Sequence, residues 1–143
     1  MEDENIFLDN ISEVKYADNV DTNNAIVPTG TIDLINGLNL GTNSNERIGR
    51  NIQIIRISVR INLKNTSALS STVRIMLIYD MQPNGITFGM NDLLENSTSG
   101  FQVISHLNVN NIARFQVLYD EEQPLVPGSS TQEISSDRDW ETT

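Results

Sequence analysis

The chain has 143 residues, with nine Lys and Arg against 19 Asp and Glu, a formal charge of −10, one His and no Cys. That length holds one domain, and the missing Cys excludes disulfides, thiolate metal sites and Cys nucleophiles. The single His excludes any site built on two imidazoles, and the acidic balance speaks against loose, whole-surface binding to nucleic acid or anionic membrane. With 18 Asn and 17 Ile but little Ala, the chain leans towards strands joined by turns.

The charge is distributed in blocks. Residues 1–46 hold nine acids and one Lys, residues 47–74 hold six basic residues and no acid, and residues 75–143 hold ten acids and two Arg. The basic island allows two readings. Its Arg side chains pair with acids on neighbouring elements, or they form a face turned towards a polyanion. Under the second reading the candidate nucleic-acid-facing residues are Arg47, Arg50, Arg56, Arg60, Lys64 and Arg74.

Residues 1–28 are acidic and Asn-rich with no sustained period, which predicts an irregular or disordered arm. Pro28 and Gly30 then mark the start of order. Residues 31–40 alternate imperfectly, with Ile32, Leu34 and Leu38 on one parity and Ile35 off it. They predict a strand ended by a turn over 41–45. Residues 51–64, NIQIIRISVRINLK, carry the clearest strand signal. Ile55, Ile57, Val59, Ile61 and Leu63 share one face, and Arg56, Arg60 and Lys64 share the other at steps of about 13 Å.

After a polar loop, residues 72–80 predict a second strand that is apolar on both faces at its centre, as a central strand is. Pro83-Asn84-Gly85 predicts a turn, because Pro sets φ and Asn and Gly tolerate positive φ. Residues 91–95, NDLLE, predict one helical turn capped by Asn91. Residues 101–107 predict a short strand and 108–113 a polar turn. Residues 114–120, RFQVLYD, predict a further strand with Phe115, Val117 and Tyr119 on one face. From 121 to 143 the Pro, Gly, Ser and Thr content reads as a polar tail. Some five strands with decorated connections and little helix point to an all-β antiparallel sandwich. A jelly roll needs eight strands. The expectation is therefore an incomplete sandwich, as in a truncated piece of a longer chain, or one completed by other copies.

Chemical motifs are sparse. His106 lies in an ordinary alternating stretch with no GxSxG elbow nearby. The acids Asp120, Glu121 and Glu122 read as a solvated strand end that lacks further oxygen ligands. No P-loop, GxGxxG or zinc spacing occurs, so no catalytic, cofactor or metal residue is expected and the chain does not read as an enzyme. The sequons at Asn10, Asn65 and Asn96 carry little weight where Asn, Ser and Thr are this abundant. The longest apolar run, Ile75 to Tyr79, is far below the ~20 residues of a membrane-spanning helix. The opening MEDENIFLDN is acidic where an export signal is basic. No aromatic residue is interleaved with the bases of 47–74, so any hold on single-stranded nucleic acid there is through phosphates alone.

Four segments together resemble a known family. These are GTIDLINGLNLGTNSNERIGRNIQIIRISVRINL, VRIMLIYDMQPNGI, NDLLE and NIARFQVLYD. In this order and spacing they are similar to capsid proteins of small circular single-stranded DNA viruses, of circovirus and geminivirus type. The resemblance covers about residues 29–120. Its most telling pieces are Gly41, Arg47 and Gly49 leading into a long strand, and the run VRIMLIYDMQPNG.

The resemblance implies a single jelly roll of viral capsid type, here its N-terminal half. Copies would assemble into an icosahedral shell around a circular single-stranded DNA genome, with other capsid subunits and that DNA as partners. It also implies a virion location, with a nuclear stage during assembly. Two departures stand out. The family's basic N-terminal arm is missing, since residues 1–27 contain only Lys15 among the bases. The family's later strands are also not recognisable in 121–143. The alternative from another class is a non-viral β-sandwich binding or adhesion module. Against it, no export signal is visible and the one Trp, Trp140, lies in the expected tail.

Overall fold

The computed structural model describes residues 15–21, 25–35, 37–49, 53–128 and 132–139. Most of the expected arm, together with Arg50, lies outside these. The chain divides into two units, Met1–Asn23 with Ile35–Ile52, and Asn24–Leu34 with Gln53–Thr143.

Among the described residues of 31–40, which straddle the two units, the expected strand is not formed. Only an isolated bridge joins Leu40 to Arg47, and Leu40 and Ile35 remain exposed. Alternation makes a strand only where a second strand satisfies its backbone, and no ladder runs along the described residues of this segment. The turn after it does form. Glu46 N donates to Asn43 O at 3.1 Å, and Asn43 N donates back to the Glu46 carboxylate at 3.0 Å. That backbone donor holds the Glu46 carboxyl below its ordinary value.

The second unit is mostly strand with little helix. Strand β1 is Arg56–Leu63, β2 is Ser71–Asp80, β3 is Phe115–Leu125 and β4 is Gln132–Asp139. They form two antiparallel ladders, β1 with β4 and β2 with β3. Along β1 the expected alternation holds. Ile57, Val59 and Ile61 are half-buried and Leu63 is buried, while Arg56, Ser58, Arg60 and Asn62 are exposed. β1 starts at Arg56, where its pairing with Asp139 begins. The consecutive Ile54 and Ile55 break the alternation, and Ile55 is exposed.

Three expectations are corrected in the same unit. Residues 121–125 continue β3, with Arg74 opposite Glu122 and Thr72 opposite Pro124. Three acidic or amide residues and a Pro look like a strand end, but among the described residues β3 pairs along one edge only, where a missing N–H is tolerated. Residues 132–139, read as tail, form β4 against β1. Its QEISSDRD sequence has no apolar alternation, so the partner supplies what propensity does not. Residues 101–107 hold a 3-10 turn at Gln102–Ile104 in place of a strand, followed by a single bridge from Leu94 to Leu107.

The helical turn is α1, Met90–Leu93. Its cap is Gly89, whose N–H donates to the Asp92 carboxylate at 2.8 Å, and not Asn91. An acidic side chain reaching back to the residue before the helix replaces the expected Asn cap. At 83–85 the chain bends, with Gly85 at φ +83° and Ile86 N donating to Asn84 Oδ1 at 3.2 Å. The polar turn at 108–113 also forms, closed by Arg114 N donating to Asn111 O at 2.9 Å.

A register shift between Leu77 and Ile78 inserts Leu118 as an extra residue in β3. Phe115, Val117 and Tyr119 therefore do not share one face, because a bulge moves the following residues to the other side. Phe115 joins Leu93 and Leu94 with Met76, Ile78, Phe88, Met90 and Leu107. Tyr119 instead joins Leu63 and Leu125 with Ile61, Val73 and Ile75. β2 is thus covered on both faces, by β1 on one and by the α1 region on the other. Both clusters are small. Six described apolar side chains are buried, none completely.

Candidate functional site

Two kinds of cationic site emerge from the basic island and the strands beside it. The first is anchored. Arg74 projects from β2, and its Nε and Nη2 each donate to a different carboxylate oxygen of Asp120 on β3, both at 2.7 Å. Its Nη1 points to three carbonyls of the connecting segment, Ser105 O at 2.6 Å, Gln102 O at 3.2 Å and Val103 O at 3.3 Å. The hydrogen bonds to Asp120 raise the Arg74 pKa further, against a smaller opposing effect of burial. The Arg74 side chain is 13% exposed. Arg74 thus ties the ladder to the connecting segment, with its donors already engaged by protein groups. Next to it the Gln102 side chain is buried, donating to Ser97 O at 2.8 Å while its Oε1 lacks a partner among the described residues.

Arg47 is held in a similar way inside the first unit. Its Nε donates to Leu38 O at 3.2 Å and its Nη1 to Gly49 O at 2.6 Å. It braces its own loop and is half-buried.

The second kind of site is the strip on β1. Arg56, Arg60 and Lys64 are all exposed. The side chains of Arg60 and Lys64 make no hydrogen bond or ion pair among the described residues, whereas Arg56 is engaged. The register sets Arg56 opposite Asp139, Ser58 opposite Asp137, Arg60 opposite Ser135 and Asn62 opposite Glu133. In an antiparallel ladder, directly opposed positions belong to the same face. Three acidic positions therefore share the ladder face of Arg56 and Arg60. By register, basic and acidic positions thus share one face of the ladder.

A further Arg–carboxylate pair was not singled out from the sequence. Arg114, just before β3, donates from Nε to Asp80 Oδ1 at 2.9 Å and from Nη2 to Asp80 Oδ2 at 2.6 Å. Its guanidinium carbon also lies 5.0 Å from the centre of the Phe115 ring. The hydrogen bond from Arg114 holds the Asp80 carboxyl below its ordinary value, more than burial raises it. The sequence signal was faint, an Asp ending one apolar strand and an Arg opening another.

His106 is exposed, and its carbonyl accepts from Glu95 N at 2.9 Å. Among the described residues no group of three or more His, Asp or Glu is placed to hold a metal ion. No helix among them is long and apolar enough to cross a membrane. An open depression of about 280 Å³ at the end of the β2–β3 ladder is lined by Ser70, Ser71, Thr72, Pro124, Leu125 and Val126 and contains no titratable side chain. No protein-family model, curated protein or solved structure matches this chain.

Proposed function

We propose that this chain is a structural subunit that works by association with copies of itself, as a capsid protein enclosing a circular single-stranded DNA genome in a virion. The capsid assignment rests on the sequence resemblance, with its single jelly roll as the finer fold. The supporting structural observation is the state of β2, whose two faces are covered while each described strand pairs along one edge only. A strand covered on both faces normally sits inside a sheet, and an unpaired edge is a template for another strand. Many large apolar side chains also remain exposed, including Leu69, Ile86, Phe101 and Ile104.

For contact with the genome the reading favours Arg60 and Lys64, which are exposed, with Arg56 as a neighbour already engaged and Arg50 outside the described residues. The test is light scattering with electron microscopy of the purified chain across a range of concentrations and salt. Closed shells or discrete higher oligomers that form cooperatively are expected. A folded monomer at every concentration would overturn the reading, and a monomer that binds glycans would favour the β-sandwich binding module.

A further inference from the structure

Four asparagines of the second unit make the same local hydrogen bond. Oδ1 of Asn65 accepts from Ser67 N at 2.9 Å, that of Asn84 from Ile86 N at 3.2 Å, that of Asn96 from Thr98 N at 3.0 Å and that of Asn108 from Asn110 N at 3.0 Å. The four differ in the next residue along the chain. Asn65, Asn96 and Asn108 precede Thr66, Ser97 and Val109, whereas Asn84 precedes Gly85. They also differ at the amide nitrogen. Nδ2 of Asn65 donates to Leu69 O and Leu125 O, and Nδ2 of Asn108 donates to Asn91 O. Nδ2 of Asn84 and Nδ2 of Asn96 have no partner among the described residues, and Asn84, Gly85 and Asn96 are exposed, so the following Gly is what sets Asn84 apart from Asn96. The space around the missing Cβ of Gly85 is open.

We propose that Asn84-Gly85 is a self-modification site, at which Asn84 is converted to aspartate and isoaspartate with water as the only co-reactant. The backbone nitrogen of Gly85 loses its proton to solvent and bonds to Cγ of Asn84. The Cγ–Nδ2 bond breaks, and Nδ2 takes up a proton and leaves as ammonia. Water then opens the cyclic imide at either carbonyl, so nothing is oxidised or reduced. Negative charge grows on Oδ1 during the attack, and the Ile86 N–H already donates to that atom, in the way an oxyanion donor does. With no Cβ on residue 85, the nucleophilic nitrogen is unshielded. The product places a carboxylate in the exposed turn after β2. This inference does not depend on the assembly reading.

The experiment is to hold the folded chain in mildly alkaline buffer and follow conversion by peptide mapping with an isoaspartate-specific methyltransferase. Mapping also separates Asn84 from Asn36, which also precedes a Gly but lies outside the described residues. Asn84 is expected to convert faster than Asn65, Asn96 and Asn108 by about tenfold or more, with the rate rising with pH. Gly85→Ala should slow it. Because that substitution strains a φ of +83°, the wild-type chain unfolded in urea is measured beside it. Conversion at Asn84 no faster than at Asn96 would overturn the proposal. So would conversion in urea with none in the folded chain.

Discussion

The β2–β3 and β1–β4 ladders use the same ingredients, β-branched residues alternating with Arg, and hold them differently. On β2, every residue from Val73 to Ile78 is at least half-buried, because an apolar cluster lies against each face. On β1, only one face is covered and the other stays in water. The fate of Arg depends on this difference. Arg74 is surrounded by a carboxylate and three carbonyls, whereas Arg60, with the same alternation around it, has no partner among the described residues. A cation on a covered face must be satisfied by protein, and a cation on an open face is satisfied by water.

The largest test of this contrast is Phe115→Ala. Phe115 is 7% exposed, lies 4.7 Å from the Phe88 ring and is central to one of two small clusters. Its truncation should cost about 3 kcal/mol in urea unfolding. Next is Arg74→Met, which keeps the stem and leaves Asp120 and three carbonyls without their donor. With Asp120 29% exposed, the loss is expected near 2 kcal/mol, below that of a fully buried pair.

Gly30→Ala should cost about 1–2 kcal/mol, because φ is +70° and the new Cβ would meet the Met90 methyl at 2.7 Å. A smaller effect is expected in the pH dependence. The folded Asp80 carboxyl titrates below its ordinary value of 3.8. Its stabilising contribution is therefore full above the unfolded value and lost as pH falls through the folded one. Asp80→Asn should flatten that acid limb and leave the neutral-to-alkaline region unchanged in shape.

The smallest effect on stability is expected from Arg60→Glu with Lys64→Glu, within about 0.5 kcal/mol. The same pair should reduce the salt dependence of single-stranded DNA binding by a slope of about 1.4, the equivalent of two phosphate contacts. An Arg60 substitution that destabilises as much as Arg74→Met would end the contrast between the two ladders. An unchanged salt slope would remove Arg60 and Lys64 from the proposed genome contact.

The cores of three strands were legible because alternation over 56–63, 72–80 and 115–120 is strong. The candidate site was legible only in part. Arg56 and Arg60 stand on the exposed face of β1 as their spacing predicts, since period two fixes the face of a strand residue, and Lys64, just past the end of β1, is exposed. Arg74 has the same local pattern, yet its face is covered by the segment 102–105, which lies nearly thirty residues downstream. Nothing near Arg74 in the chain reports that cover. Arg114 was missed because its partner Asp80 is 34 residues away.

The sequence by itself determined the strand character of the middle of the chain, its turn at 41–45 and bend at 83–85, and the two-faced nature of β1. These depend on interactions between residues a few positions apart. Tertiary structure alone decided that the described residues of 31–40 have no ladder and that QEISSDRD has one. It also decided that Leu118 bulges and shifts Tyr119 to the other cluster. A backbone becomes a strand only when another strand takes its hydrogen bonds, and that partner is chosen over distances no local pattern records.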